Sequence, residues 1–172
     1  MPITSLLLSG SAVVALGVAA TYLAPRNVKV QRSKIIASSP AQVLALAAST
    51  EGYQTFNPYR SDNPDQAITP FGPASGKGSG SGFAFAAGSM KGTQTIIEVA
   101  SDHVTYAIDL GPQGKPTQII TARPVSGGTE VTWTMQADIG INPVARSVRL
   151  FMDRMIGRTF DQGLANLAAA TA

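Results

Sequence analysis

A strand that runs directly into one long helix limits this chain more than any other feature. From Glu130 to Ile139 the residues alternate, with Val131, Trp133, Met135, Ala137 and Ile139 on one side, the period of a half-buried strand. Gly140-Ile141 ends it, Asn142 is a good N-cap, and Pro143 suits the first helical position because its missing N–H would be unpaired there. The spacing predicts a helix from Pro143 to about Leu167. It would be roughly 37 Å long at about 1.5 Å per residue, enough to cross a small sheet. On it Val144, Val148, Phe151, Met152 and Met155 share an arc that Thr159, Gly163 and Asn166 continue. That arc is expected to face the sheet, and its smaller later members would leave room for a cavity. Plain core packing is the competing expectation.

The residues before it read as an antiparallel meander. Alternation over 28–37 predicts a first strand. Ser38-Ser39-Pro40 starts a helix over 40–48, and 51–59 is a turn-rich aromatic stretch. Strands follow at 67–71, 83–87, 93–100, 104–110 and 117–125, separated by Gly/Pro turns. The 72–82 loop holds Gly76-Lys77-Gly78-Ser79-Gly80, but no Gly-Lys-Ser/Thr ending and no following helix, so a flexible hairpin loop is expected in place of a phosphate cradle. Strands flanked by helices make an α+β domain.

Residues 3–24 form 22 consecutive positions without a charge. About 20 such residues span a bilayer, so 1–25 is expected to be an N-terminal transmembrane anchor, with a cleaved signal segment as the alternative. No Lys or Arg precedes the apolar run. Arg26, Lys29, Arg32 and Lys34 follow it, so a single-pass membrane protein with its domain on the cytoplasmic side is expected from the charge bias; a periplasmic or secreted domain is the alternative. Residues 26–172 are then one soluble domain. A net charge of +3 from 13 basic and 10 acidic residues is too thin for a nucleic-acid surface.

Catalytic chemistry is hard to find. His103 is the single histidine and follows Ser101-Asp102 in a turn; there is no cysteine. No carboxylates cluster at metal-ligand spacing, and no nucleophile elbow is present. Asp109, Glu130 and Asp138 fall on the outward side of their strands. Asp153 lies four residues after Arg149, which predicts an exposed ion pair. Arg146, Arg149, Arg154 and Arg158 lie away from the apolar arc of the helix. No cofactor, metal or catalytic residue is expected.

Several motifs resemble one family. Val30-Gln31-Arg32-Ser33 precedes Ser39-Pro40-Ala41-Gln42-Val43, and Phe56-Asn57-Pro58-Tyr59 stands where relatives carry a Trp-rich stretch. Gly127-Gly128-Thr129-Glu130-Val131-Thr132-Trp133, the 150–157 segment and Phe160-Asp161-Gln162-Gly163-Leu164 complete the pattern across nearly all of 28–168. The chain resembles the START-like (SRPBCC) superfamily of polyketide cyclases, dehydrases and lipid transporters. The resemblance implies a helix-grip fold, a curved antiparallel sheet wrapped around the long C-terminal helix with a hydrophobic cavity between them. It implies little about activity, since one fold hosts many functions.

The function expected is membrane-anchored binding of a hydrophobic small molecule or lipid. A cyclase/dehydrase-like enzyme on the same scaffold, and an accessory module with a filled core, are the alternatives. The expected cavity walls are Tyr53, Phe56, Tyr59, Phe83, Phe85, Ile97, Tyr106, Ile108, Ile119, Trp133, Met135, Phe151 and Met155.

Overall fold

The computed structural model describes residues 26–85, 90–140 and 143–172, the side chains of 62 and 143–150 excepted. The element order is β1 (Asn27–Ile36), α1 (Pro40–Ala47), α2 (Thr50–Phe56), α3 (Tyr59–Asp62), β2 (Ala67–Phe71), β3 (Gly80–Ala84), β4 (Lys91–Val99), β5 (His103–Asp109), β6 (Thr117–Val125), β7 (Gly128–Asp138) and α4 (Pro143–Ala170). All strands pair antiparallel in one sheet, ordered β1-β7-β6-β5-β4-β3-β2. The expected α+β helix-grip architecture is present. The transmembrane segment expected over 1–25 lies outside the described residues; among those described, no helix is long and apolar enough to cross a membrane.

The helices between β1 and β2 cover one face of the sheet. Ser39 caps α1 in a capping box: its side chain accepts from the Gln42 N–H, and the Gln42 side chain accepts from the Ser39 N–H. The 51–59 stretch, expected as turns, forms two short helices instead. Ser49 accepts from the Gly52 N–H and starts α2. The buried Asn57 ends it, accepting from the Tyr59 N–H and donating to Gln54. That side-chain turn is what starts α3 and sets Tyr59 in place. The 72–82 loop is stitched down: the Gly76 N–H reaches the Ala48 carbonyl at 2.7 Å, and the Gly78 N–H reaches Ile96 at 2.8 Å.

Alternation on β7 is as read, with Val131, Trp133 and Met135 buried on the inner face. The helix, however, turns a different arc inward. Phe160, Leu164 and Leu167 are buried, with Met152 and Ile156 partly so, while Phe151 is 70% and Met155 62% exposed. Two glycines select that face. The Trp133 ring lies where a Cβ on Gly163 would sit, and the Arg32 guanidinium lies where a Cβ on Gly157 would sit. Only this rotation brings the backbone close enough for Phe160 to stack on Trp133, at 4.8 Å and 11°. Asp153 pairs with Arg32 on β1, at 3.0 Å through both carboxylate oxygens, with a third bond to the Asp153 carbonyl; the Arg149 side chain expected to pair with it lies outside those described. Arg32 also lies 3.5 Å from Asp161.

Two strand residues also change sides. Ile97 is 42% exposed because β4 shifts register between Ile96 and Glu98. The extra residue hands the inner place, opposite Tyr106, to Ile96. Ile119 pairs with Thr105 and Thr134 on the outer face, while Ile120, opposite Val104 and Trp133, is the buried neighbour.

Candidate functional site

The inner face of the sheet is graded from filled to open. At the filled end the Tyr53, Phe56, Trp133 and Phe160 rings interlock. Tyr53 is edge-on to Phe56 (5.0 Å), Tyr106 (5.6 Å) and Trp133 (6.0 Å), and Phe56 is edge-on to Trp133 (5.8 Å). Such pairs add to the burial of large rings, and every polar handle on the sheet rings has a use. The Trp133 indole N–H donates to Gln118 at 3.1 Å. The Tyr106 hydroxyl donates to the Ala47 carbonyl at 2.6 Å, satisfying one of the unpaired carbonyls at the end of α1. Ile108 and Met135 close the same core.

Moving out along β3 and β4, the rungs become polar and then empty. Ile96 pairs with Tyr106, Gln94 with Ser81 and Ile108, and Gly92 with Phe83. Gly92 contributes no side chain, so Phe83 and Leu110 lean over it. Beyond them Tyr59 and Phe83 each meet Phe85 edge-on at 6.2 Å. These three rings are only half-buried, an aromatic margin that the described elements leave uncovered.

The Gln94 side chain sits between the filled end and this margin. It is buried, and its Nε2 makes no hydrogen bond of ordinary geometry, although the amide lies close enough to the Tyr53 hydroxyl to interact with it. It borders a cavity of about 10 Å³ with Ser49, Thr50, Tyr53, Ser81 and Tyr106, room for roughly one water. Burial pushes the Tyr53 hydroxyl far above its usual pKa; the Tyr59 hydroxyl adds to the rise and the Gln94 amide opposes part of it. Burial raises Tyr59 and Tyr106 too. All three are therefore neutral hydrogen-bonding groups. A separate open cleft of about 670 Å³ lies where β2 to β5 end, bordered by Phe83, Gly92, Leu110, Thr69, Thr93 and Asp109.

The structure thus divides the thirteen expected wall residues. Tyr53, Phe56, Tyr106, Ile108, Trp133 and Met135 come together as packed core. Tyr59, Phe83 and Phe85 form the margin. Ile97, Ile119, Phe151 and Met155 are not on this face. Sequence reasoning missed Gln94 and Ser81, for which the adjacent Ile96 and Ile97 left no usable parity signal, and Phe160, which the Phe160/Leu164/Leu167 spacing would have revealed. His103 is on the surface, 2.7 Å from Asp102 and 3.5 Å from Glu98.

Solved structures share this architecture. A protein from Chromobacterium violaceum aligns at TM-score 0.61 and 14% identity over 84% of this chain and 97% of its own. The di-domain ARO/CYC StfQ of the steffimycin biosynthetic pathway aligns at 0.62 and 13%, over 84% of this chain and 50% of its own. A norcoclaurine synthase from Thalictrum aligns at 0.63 and 11%, over 83% and 94%. At such identities the likeness concerns the fold alone. No curated protein matches the chain. A family model does match, over residues 27–172. With its inner-face aromatics and the terminal helix across its sheet, the chain belongs to the polyketide cyclase/dehydrase and lipid transport family of the SRPBCC/START-like fold, a family that binds hydrophobic ligands.

Proposed function

We propose that the domain holds a hydrophobic small molecule or lipid against the margin of Tyr59, Phe83 and Phe85 without altering it, and that residues 3–24 tether it to a membrane on the cytoplasmic side. The observation that carries the binding reading is the poorly satisfied Gln94 amide one rung inside that margin, which has only the Tyr53 hydroxyl beside it. A buried donor without an acceptor costs about 1–3 kcal/mol. A ligand oxygen at that depth would remove the penalty while the apolar body lies on the three rings. Mostly apolar walls with a few polar groups are how small-molecule sites fix orientation. Family membership supports the ligand class.

A cyclase or dehydrase reading needs an acid or base that changes protonation near the working pH. Among the described residues, Tyr53, Tyr59 and Tyr106 are kept neutral by burial, and Asp109, which shares the open cleft with Phe83 and Lys91, is held as a carboxylate by Lys115; this favours binding without chemistry. An accessory module draws on one observation, the interior ring packing with its cavity of only about 10 Å³.

Native mass spectrometry of the full chain after detergent exchange separates these readings. One lipid-sized adduct per chain is expected, and Gln94→Leu should weaken its retention roughly tenfold, the equivalent of one hydrogen bond of about 1.4 kcal/mol. A wild-type chain that carries no adduct and takes up none from a lipid extract would leave the accessory module as the reading.

A further inference from the structure

We infer that the exposed side of α4 is a membrane-docking face, in which Phe151 and Met155 enter an anionic bilayer surface beside Arg154 and Arg158. This inference rests on the proposed tether at residues 3–24. Phe151 and Met155 are the two most exposed large hydrophobic side chains among the described residues. Four residues apart, they stand on the same side of the helix. Core formation does not explain them, since Phe160, Leu164 and Leu167 already bind the helix to the sheet on its other side.

The described charges next to the pair along the helix are basic. Arg154 and Arg158 are exposed and, each three residues from Phe151 or Met155, flank them along the helix. Of the nearby carboxylates, Asp153 is held by Arg32 at 3.0 Å, and Asp161, three residues beyond Arg158, lies 3.5 Å from the same guanidinium. An apolar strip edged by arginine is complementary to apolar lipid beneath anionic headgroups.

The position of the tether brings such a surface within reach. The Arg26 carbonyl accepts from the Ile139 N–H at 3.0 Å, and Asn27 pairs with Asp138. The chain therefore enters the fold a few residues from Pro143, where α4 begins. Phe151 is eight residues into that helix, about 12 Å along it, and Met155 about 18 Å. Val125 lies at the other end of the sheet, because β7 runs its whole length from the Val125–Gly128 pair to the Asp138 end, about 33 Å away.

The chain contains no cysteine, so one can be placed at will. Full-length Phe151→Cys and Val125→Cys, each carrying an environment-sensitive dye, are reconstituted into phosphatidylcholine vesicles with and without phosphatidylglycerol. In anionic vesicles brominated lipid should quench most of the emission at 151 and little at 125. Arg154→Gln and Arg158→Gln should each lower the docked-to-free ratio roughly fivefold, and high salt should act in the same direction. Flotation after an alkaline wash reports the tether separately. A chain that floats with position 151 as water-exposed as 125 overturns the docking face alone. A chain that does not float overturns the tether and the docking face with it.

Discussion

The Trp133 indole lies flat against the Phe160 ring, 4.8 Å between centroids and 11° between planes, and its edge occupies the space a side chain on Gly163 would need. Strand and helix are thereby locked in one rotation. The indole cannot swing away without losing Gln118 and its contacts with Tyr53 and Phe56. Gly163→Ala should therefore destabilise the fold by about 1–3 kcal/mol through overpacking, although Ala is favoured over Gly in a helix by about 1 kcal/mol. Gly157→Ala displaces the Arg32 guanidinium from Asp153, but that pair is solvent-exposed and adds little stability, a loss the better helix propensity of Ala offsets, so this variant should stay within about 1 kcal/mol of wild type. Denaturant unfolding of the two variants checks this. Equal losses at both positions would mean that the indole is free to move.

Tyr106→Phe keeps the ring and removes the hydroxyl that serves the Ala47 carbonyl. With both groups buried, the loss should be about 1–3 kcal/mol. Amide exchange should speed up most at the end of α1, where the carbonyl loses its donor. Wild-type stability with unchanged exchange would show that water replaces the bond.

His103 should titrate above its usual 6.5, chiefly because Asp102 bonds its ring, with Glu98 adding to the effect. The folded state then binds the proton more tightly than the unfolded chain. Its contribution to stability is complete below 6.5 and lost as pH rises through the raised value. An NMR titration of the ring should give a midpoint above 6.5, and Asp102→Asn should lower it. A wild-type midpoint at or below 6.5 contradicts the geometry.

The Arg32 guanidinium holds Asp153 below the usual carboxylate value of 3.8, chiefly by hydrogen bonding. The sign is opposite to that of His103. Stability from this pair is present above 3.8 and lost as pH falls through the depressed value. Arg32→Gln should raise the Asp153 midpoint in a carboxyl-detected titration, and no change would exclude the bidentate pair from solution.

The sequence made the sheet legible because strand parity is unambiguous where polar and apolar residues alternate, as from Val131 to Met135. It failed where two apolar residues are adjacent. Ile96-Ile97 and Ile119-Ile120 each offer both parities, and a register shift or a cross-strand neighbour decides between them. The inward arc of α4 was missed for a related reason. Phe151 and Met155 weigh more by hydrophobicity than Gly157 and Gly163, yet the glycines mark where Arg32 and Trp133 approach the helix. Gln94 was unreadable in advance, because a polar residue in a strand reads as outward until its partners Ser81 and Ile108 are known.

The central claim, a ligand oxygen at Gln94 with its apolar body on the aromatic margin, is most directly tested at the Gln94 side-chain amide. Delipidated full-length protein in detergent is titrated with oleate, a probe with one oxygen-bearing head and one long apolar tail, and followed by 1H–15N and aromatic NMR. The account predicts that the Gln94 NH2 signals move downfield together with shifts at Tyr59, Phe83 and Phe85. Saturable shifts confined to the outer face, or an unmoved Gln94 amide alongside them, would contradict it.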